Sequence, residues 1–202
     1  MEQFTPYLVV IFAYLVGSFS SAIVTTKLMG LSDPRASGSG NPGATNVLRT
    51  GGKLAAVITL LGDVAKGVIP VVIAQQLGLS SGFIAVTAIA AFMGHLFPLY
   101  YGFKGGKGVA TAIGVYGALS LPLVLTFLGV WLAAAALFRY SSLAALLAGG
   151  ISGLASFAIF NQPEQLQLIG AVVWIVAFLF QRQRGNIERI KAGTESKIGS
   201  KS

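Results

Sequence analysis

Two glycine-rich runs carry the side chains with chemistry to offer. The first reads SGSGNPGATNVLR, from Ser37 to Arg49. Backbone turned by Gly40 and Gly43 can aim N–H groups at an anion. Ser39, Asn41, Thr45 and Asn46 add neutral hydrogen-bonding groups, and Arg49 adds a planar fork suited to phosphate. Thr45, Asn46 and Arg49 stand at helix-like spacing, which a plain connector of turn formers does not require. The second run reads GHLFPLYYGFKGGKGVAT, residues 94–111. Lys104 and Lys107, with Gly105 and Gly106 between them, form a compact cationic corner at a predicted helix start. Lysines there oppose the helix dipole, and an anionic ligand resolves that conflict.

Two phosphate-binding motifs are excluded. Gly38, Gly40 and Gly43 satisfy GxGxxG, but a dinucleotide fold needs a strand before that turn; here an apolar helix precedes it. The lysine corner is not a Walker A loop. Tyr101 stands five before Gly106, and Gly108 replaces the hydroxyl residue that would hold magnesium.

Other candidates are more dispersed. His95, the single histidine, could act as a base, but a lone histidine in an apolar helix is more often a neutral core residue. Asp63 and Lys66 sit one turn apart in an apolar segment, spaced either to neutralise each other or to contact substrate. Ser142 and Asn186 offer neutral donors at a cationic mouth. Arg139, Arg189 and the tail read as charges snorkelling to an interface.

These residues need a scaffold, and composition names it. The 202 residues are 54% hydrophobic and only 10% charged, well below the quarter usual in soluble domains. Seven apolar segments, roughly 5–29, 54–77, 83–102, 109–120, 122–138, 142–160 and 166–181, predict an all-α polytopic membrane protein. The fourth is too short for a full span, and Ser120, Leu121 and Pro122 break it from the fifth. Its entry loop is expected to dip below the membrane surface.

Every Lys and Arg falls on one side of the predicted bundle, while 78–82, 119–122 and 161–165 carry none. The basic side faces the cytosol. The N-terminus is then outside, read as a retained helix and not a cleaved signal. The C-terminus is cytoplasmic, within one transmembrane domain spanning 1–202 and ending in a basic tail, 183–202. The net charge of +8 serves that topology, anionic ligands and membrane lipids, and not nucleic acid. Absent cysteine excludes disulfides and thioester intermediates. Gly149 and Gly153 form a GxxxG read as packing within the bundle, with a homodimer seam as the rival.

Taken together, GSGNPGATNVLR (38–49), DVAKG (63–67), the 94–111 run, RYSSLA (139–144) and NIER (186–189) resemble the PlsY family of acyl-phosphate:glycerol-3-phosphate acyltransferases. The resemblance implies transfer of an acyl group from acyl phosphate to the 1-hydroxyl of glycerol 3-phosphate. It implies a site on the cytoplasmic face of the bacterial inner membrane, with no cofactor and no metal. A soluble enzyme making acyl phosphate is a further candidate partner. By resemblance, Lys107, Arg49, Ser39 and Asn186 are expected to be catalytic. Asn41, Thr45, Asn46, Lys104, Ser142, Gly40, Gly43, Gly105, Gly106 and Gln183 are expected to bind substrate. His95, Asp63 and Lys66 match motif positions without an assigned role. At Gln183 the family usually has histidine, so this chain lacks a titratable group there. The competing reading is an organic-phosphate transporter with a cationic vestibule.

Overall fold

The computed structural model describes residues 2–199 and is all-helical over them. The principal helices are α1 (Thr5–Gly17), α2 (Ser21–Leu28), α3 (Ala44–Gln76), α4 (Ser81–Leu96), α5 (Val109–Leu119), α6 (Leu121–Phe138), α7 (Ser141–Ile159), α8 (Leu166–Arg182) and α9 (Arg184–Lys191). Five are long and apolar enough to cross a membrane: α3, α4 extended to Tyr101, α6, α7, and α8 with the 3₁₀ turn before it. Met1 and residues 200–202, including the basic Lys201, lie outside the described residues.

The predicted first segment, 5–29, is not one helix. It breaks into α1 and α2, bent by 46°. Local bonding explains the break. The Ser18 hydroxyl donates to the Tyr14 carbonyl at 2.8 Å, and Ser20 then caps α2, accepting from the Ile23 N–H at 3.4 Å. Ser and Thr side chains commonly bend helices by such local bonds. The fourth segment is short, as expected: α5 has 11 residues, a rise of roughly 16 Å. Only Ser120, extended at φ −164°, separates it from α6, whose first turn takes Pro122.

Helix α1 lies against α4, α3 against α5, and α6 against α7, while α8 packs between α4 and α7. Close crossings depend on glycine. A Cβ at Gly67 would run into the Thr111 carbonyl, and one at Gly114 into the Val64 carbonyl, so α3 and α5 touch backbone to backbone. Gly149 and Gly153 face Leu179 and Val176 of α8, the intrachain packing the GxxxG suggested. Phe92, Leu96, Tyr116, Phe127, Ile175 and Leu179 fill the centre, all fully buried.

Candidate active site

Gly43, in extended backbone at φ −147°, starts α3. Thr45 and Arg49, four residues apart, are both exposed on its first turns. Asn46 turns inward and is spent on the loop. Its amide donates to the Pro34 and Ser37 carbonyls at 2.7 and 3.0 Å and accepts the Ser39 N–H at 2.8 Å. It therefore shapes the Pro34–Ser39 loop from inside. Gly52, at φ +84°, interrupts α3 just after this face.

Residues 102–108 fold back onto the end of α4. The Gly105 and Gly106 N–H groups donate to the Leu96 and His95 carbonyls, each at 3.2 Å. Lys107 leaves this corner and donates to Asn186 Oδ1 on α9 at 2.6 Å. The Asn186 amide donates to Glu195 Oε1 at 2.7 Å, and the Ser142 hydroxyl, at the start of α7, donates to the same oxygen at 2.6 Å. Arg189 Nε reaches Glu195 Oε2 at 2.7 Å. Four separate stretches of chain thus meet around one carboxylate.

The tail does not behave as a solvated end. After α9, Gly193 turns the chain at φ +70°, and the Thr194 and Glu195 N–H groups both donate to the Arg189 carbonyl. Ile198 exchanges two hydrogen bonds with Arg139, at 2.6 and 3.1 Å, and the Lys197 ammonium lies 5.8 Å from the Tyr140 ring centre. Arg139 and Arg189, expected as charges at an interface, also hold the tail. Glu195 was not foreseen, because a lone acid in a basic tail gives no periodic or spacing signal.

Electrostatics follow the geometry. Burial pushes the Lys107 ammonium down to about 8; Glu195 opposes that shift, while Arg189, Arg49 and Arg182 reinforce it. Burial pushes the Glu195 carboxyl up, but hydrogen bonds from Ser142, Asn186 and Arg189 outweigh it, and Glu195 stays below the usual carboxylate range. The site is a cluster of cations and neutral donors around one internal anion.

Beneath it lies a buried ion pair. Lys66 Nζ is 3.0 Å from Asp63 Oδ1 and donates to the Phe19 carbonyl at 2.7 Å, with both side chains almost wholly buried. His95 Nδ1 lies 3.7 Å from the same Asp63 oxygen, and a Cβ on Gly106 would strike His95 Nε2. Of the two readings open for Asp63 and Lys66, the structure contains the ion pair. His95 is a buried support under the glycine corner. Lys104 stands apart: it is exposed, its backbone N–H donates to the Tyr101 carbonyl at 3.3 Å, and its ammonium makes no hydrogen bond or ion pair among the described residues. Gln183 joins α8 to α9. It is 1% exposed, its carbonyl accepts the Asn186 N–H, and its side-chain amide nitrogen has no partner.

An apolar cavity of about 880 Å³ opens between α1, α2 and α3. Phe12, Val16, Phe19, Ile58, Ile69 and Tyr101 are among its walls, and Lys66 lies at its polar end.

Known proteins share this sequence and architecture. The family model described as glycerol-3-phosphate acyltransferase matches residues 7–193. Glycerol-3-phosphate acyltransferases of Thioalkalivibrio sulfidiphilus and Methylococcus capsulatus are 51% and 48% identical. The alignments cover 94% and 96% of this chain and 92% and 97% of those proteins. The crystal structure of PlsY, an integral membrane glycerol 3-phosphate acyltransferase, is 40% identical in its glycerol 3-phosphate form. It superposes with a TM-score of 0.90 over 96% of both chains. The lysophosphatidic acid form superposes at 0.89, with 39% identity and the same coverage.

Proposed function

The chain belongs to the glycerol-3-phosphate acyltransferase family and is an integral membrane acyltransferase producing lysophosphatidic acid, and on that premise we propose that it takes the acyl group from acyl phosphate at a cytoplasmic-side site built around Lys107. The transport reading is set aside, because the family to which the chain belongs is one of acyltransferases.

One observation carries the reading. Arg49, Arg182 and Arg189 each lie within electrostatic reach of Lys107, which bonds the neutral donor Asn186, with Ser142 on the same carboxylate as Asn186. Such a set fits two phosphorylated reactants side by side. Acyl phosphate is already activated, so the protein must supply orientation and charge stabilisation and no covalent intermediate. The glycerol 3-phosphate hydroxyl attacks the acyl carbonyl carbon. Lys107 and unpaired N–H groups at the start of α5 stabilise the oxyanion. The carbon–oxygen bond to phosphate then breaks, its electron pair leaves on the phosphate, and the hydroxyl proton passes to a substrate phosphate. Arg49, with Ser39, Asn41 and Thr45 at the start of α3, holds a phosphate. Gly40, Gly43, Gly105 and Gly106 allow close backbone approach, and Lys104 draws anions toward the mouth. The apolar cavity beside Lys66 takes the acyl chain.

The topology supports a cytoplasmic site in the bacterial inner membrane. With α1 and α2 counted as one bent crossing and α5 as a short one, the chain crosses seven times and ends inside, the N-terminus lying outside. All basic loops then face the cytosol. The one soluble partner this placement favours is the enzyme that releases acyl phosphate.

The test is a purified-protein assay with palmitoyl phosphate and labelled glycerol 3-phosphate, without metal or CoA. Chloroform-extractable lysolipid is the expected product. Lys107→Met and Arg49→Ala should each lose about 10²–10³ in turnover. Near-normal rates in both, or activity only with an acyl thioester, overturn the reading.

A further inference from the structure

Arg182 ends α8, where a cation suits the helix dipole. Its guanidinium nevertheless stays inside. Nε donates to the Gly106 carbonyl at 3.1 Å and Nη2 to the Gly105 carbonyl at 2.8 Å, while the Phe97 ring centre lies 5.4 Å from its central carbon. The N–H groups of the same two glycines are taken by the Leu96 and His95 carbonyls. The Gly105–Gly106 peptide is therefore gripped by two elements, α8 at its carbonyl and α4 at its N–H, while the Gly106–Lys107 peptide is held at its carbonyl by Arg182 alone.

That grip has a directional result. No cis peptide occurs among the described residues. In a trans unit the carbonyl and the following N–H point in opposite directions. With the Gly106 carbonyl held by Arg182, the Lys107 N–H must point away from Arg182. No acceptor among the described residues takes it, nor the neighbouring Gly108 N–H at the start of α5. An unpaired N–H beside a half-buried ammonium is what an oxyanion requires.

We propose that Arg182 is a positioning residue for acyl transfer: its two-pronged hydrogen bond orients the Gly106–Lys107 peptide so that the Lys107 N–H faces the reacting phosphate or oxyanion. Arg182 touches no reactant itself. The inference rests on the reading of Lys107 as an anion ligand. Arginine suits this task because its rigid planar fork fixes the direction of both carbonyls, whereas the rotatable donors of an ammonium do not. Its charge acts on Lys107 as well, together with Arg49 and Arg189 and against Glu195.

The experiment compares Arg182→Gln, Arg182→Lys and Lys107→Met in detergent, measuring kcat/KM for glycerol 3-phosphate across pH 6–9.5. Arg182→Gln should fall by about 10²-fold, as for loss of an oxyanion donor, with its alkaline limb moved above the wild-type limb near 8. Arg182→Lys should fall by about 10-fold, in proportion to one lost prong, with that limb in place. Wild-type kcat/KM in Arg182→Lys overturns the inference, even if Arg182→Gln fails to give monodisperse protein. Equal losses in both variants with unmoved limbs also overturn it, since that marks a packing role. If Lys107→Met alone is inactive, only this inference fails; if Lys107→Met is fully active, the underlying site reading fails.

Discussion

Replacing Glu195 with glutamine keeps the shape of the central acceptor and removes its charge. Three donors converge on this carboxylate, from Ser142, Asn186 and Arg189. Arg189 is half-exposed, so its pair with Glu195 is screened and contributes little. The Ser142 and Asn186 bonds matter more. A hydrogen bond to a charged group contributes about 1.5–3 kcal/mol, and a neutral one about 0.5–1.5. Losing the charge therefore costs about 1–1.5 kcal/mol per bond, or about 2–3 kcal/mol for the two. Asn186 also accepts from Lys107, so a slackened Asn186 loosens the ammonium itself. If most of the cost reaches the transition state, kcat/KM falls by about 30- to 150-fold.

A second signature fixes the cause. Glu195 holds the Lys107 ammonium up against burial, so its removal lowers a Lys107 value already near 8. The alkaline limb of kcat/KM should move to lower pH in Glu195→Gln, opposite to the shift expected of Arg182→Gln. Unfolding does not mimic this limb. The folded Lys107 releases its proton near 8 and the unfolded one at about 10.4. Across that interval the unfolded chain binds more protons, so this group's contribution to stability rises with pH while activity declines. The assay is lysolipid formation by purified protein over pH 6–9.5, with thermal stability in parallel. A Glu195→Gln enzyme within twofold of wild type, with its limb unmoved, would refute the reasoning.

Further perturbations have defined outcomes. Asp63→Asn leaves Lys66 buried with only the Phe19 carbonyl, and should cost about 3–5 kcal/mol; the double change Asp63→Asn with Lys66→Met should recover much of the lost melting temperature, and no recovery would show that charge is not the cause. Gly114→Ala drives a methyl into the Val64 carbonyl and should destabilise by about 1–3 kcal/mol through overpacking, read as a lower midpoint in detergent. Gln183 carries no proton to exchange near neutrality. Wild-type kcat/KM should thus lack an inflection from that position beyond that of the substrate phosphates, and Gln183→His should add a further acid limb; superimposable profiles for the two proteins would contradict this.

Much of the site was legible where chemistry and spacing coincide. Lys107 bonds Asn186, Ser142 shares the Glu195 carboxylate with Asn186, and Arg49 acts on Lys107 electrostatically from the first turns of α3. The short α5 and the Asp63–Lys66 pairing were also readable, one from segment length and one from a three-residue interval. Three features were not. Asn46 carries the residue type of a ligand, yet its amide is consumed by the Pro34–Ser39 backbone, a matter of loop shape that composition does not encode. The bend in 5–29 was hidden because apolar content averages smoothly across Ser18 and Ser20. Arg182 acts on partners 76 and 77 residues distant, and Glu195 joins Ser142, 53 residues away, to its nearer partners Asn186 and Arg189, pairings no local pattern encodes.

The Gly193 turn sets an order of events. The pocket joins Arg49, near the start of the chain, to Lys107 in its middle and to Asn186 and Glu195 far downstream. A nascent polypeptide can thread every earlier helix into the bilayer and still lack the carboxylate at the centre of its cation cluster. The hydrogen-bonded cluster around Glu195 is therefore completed only once residue 195 has emerged and the chain has turned back at Gly193.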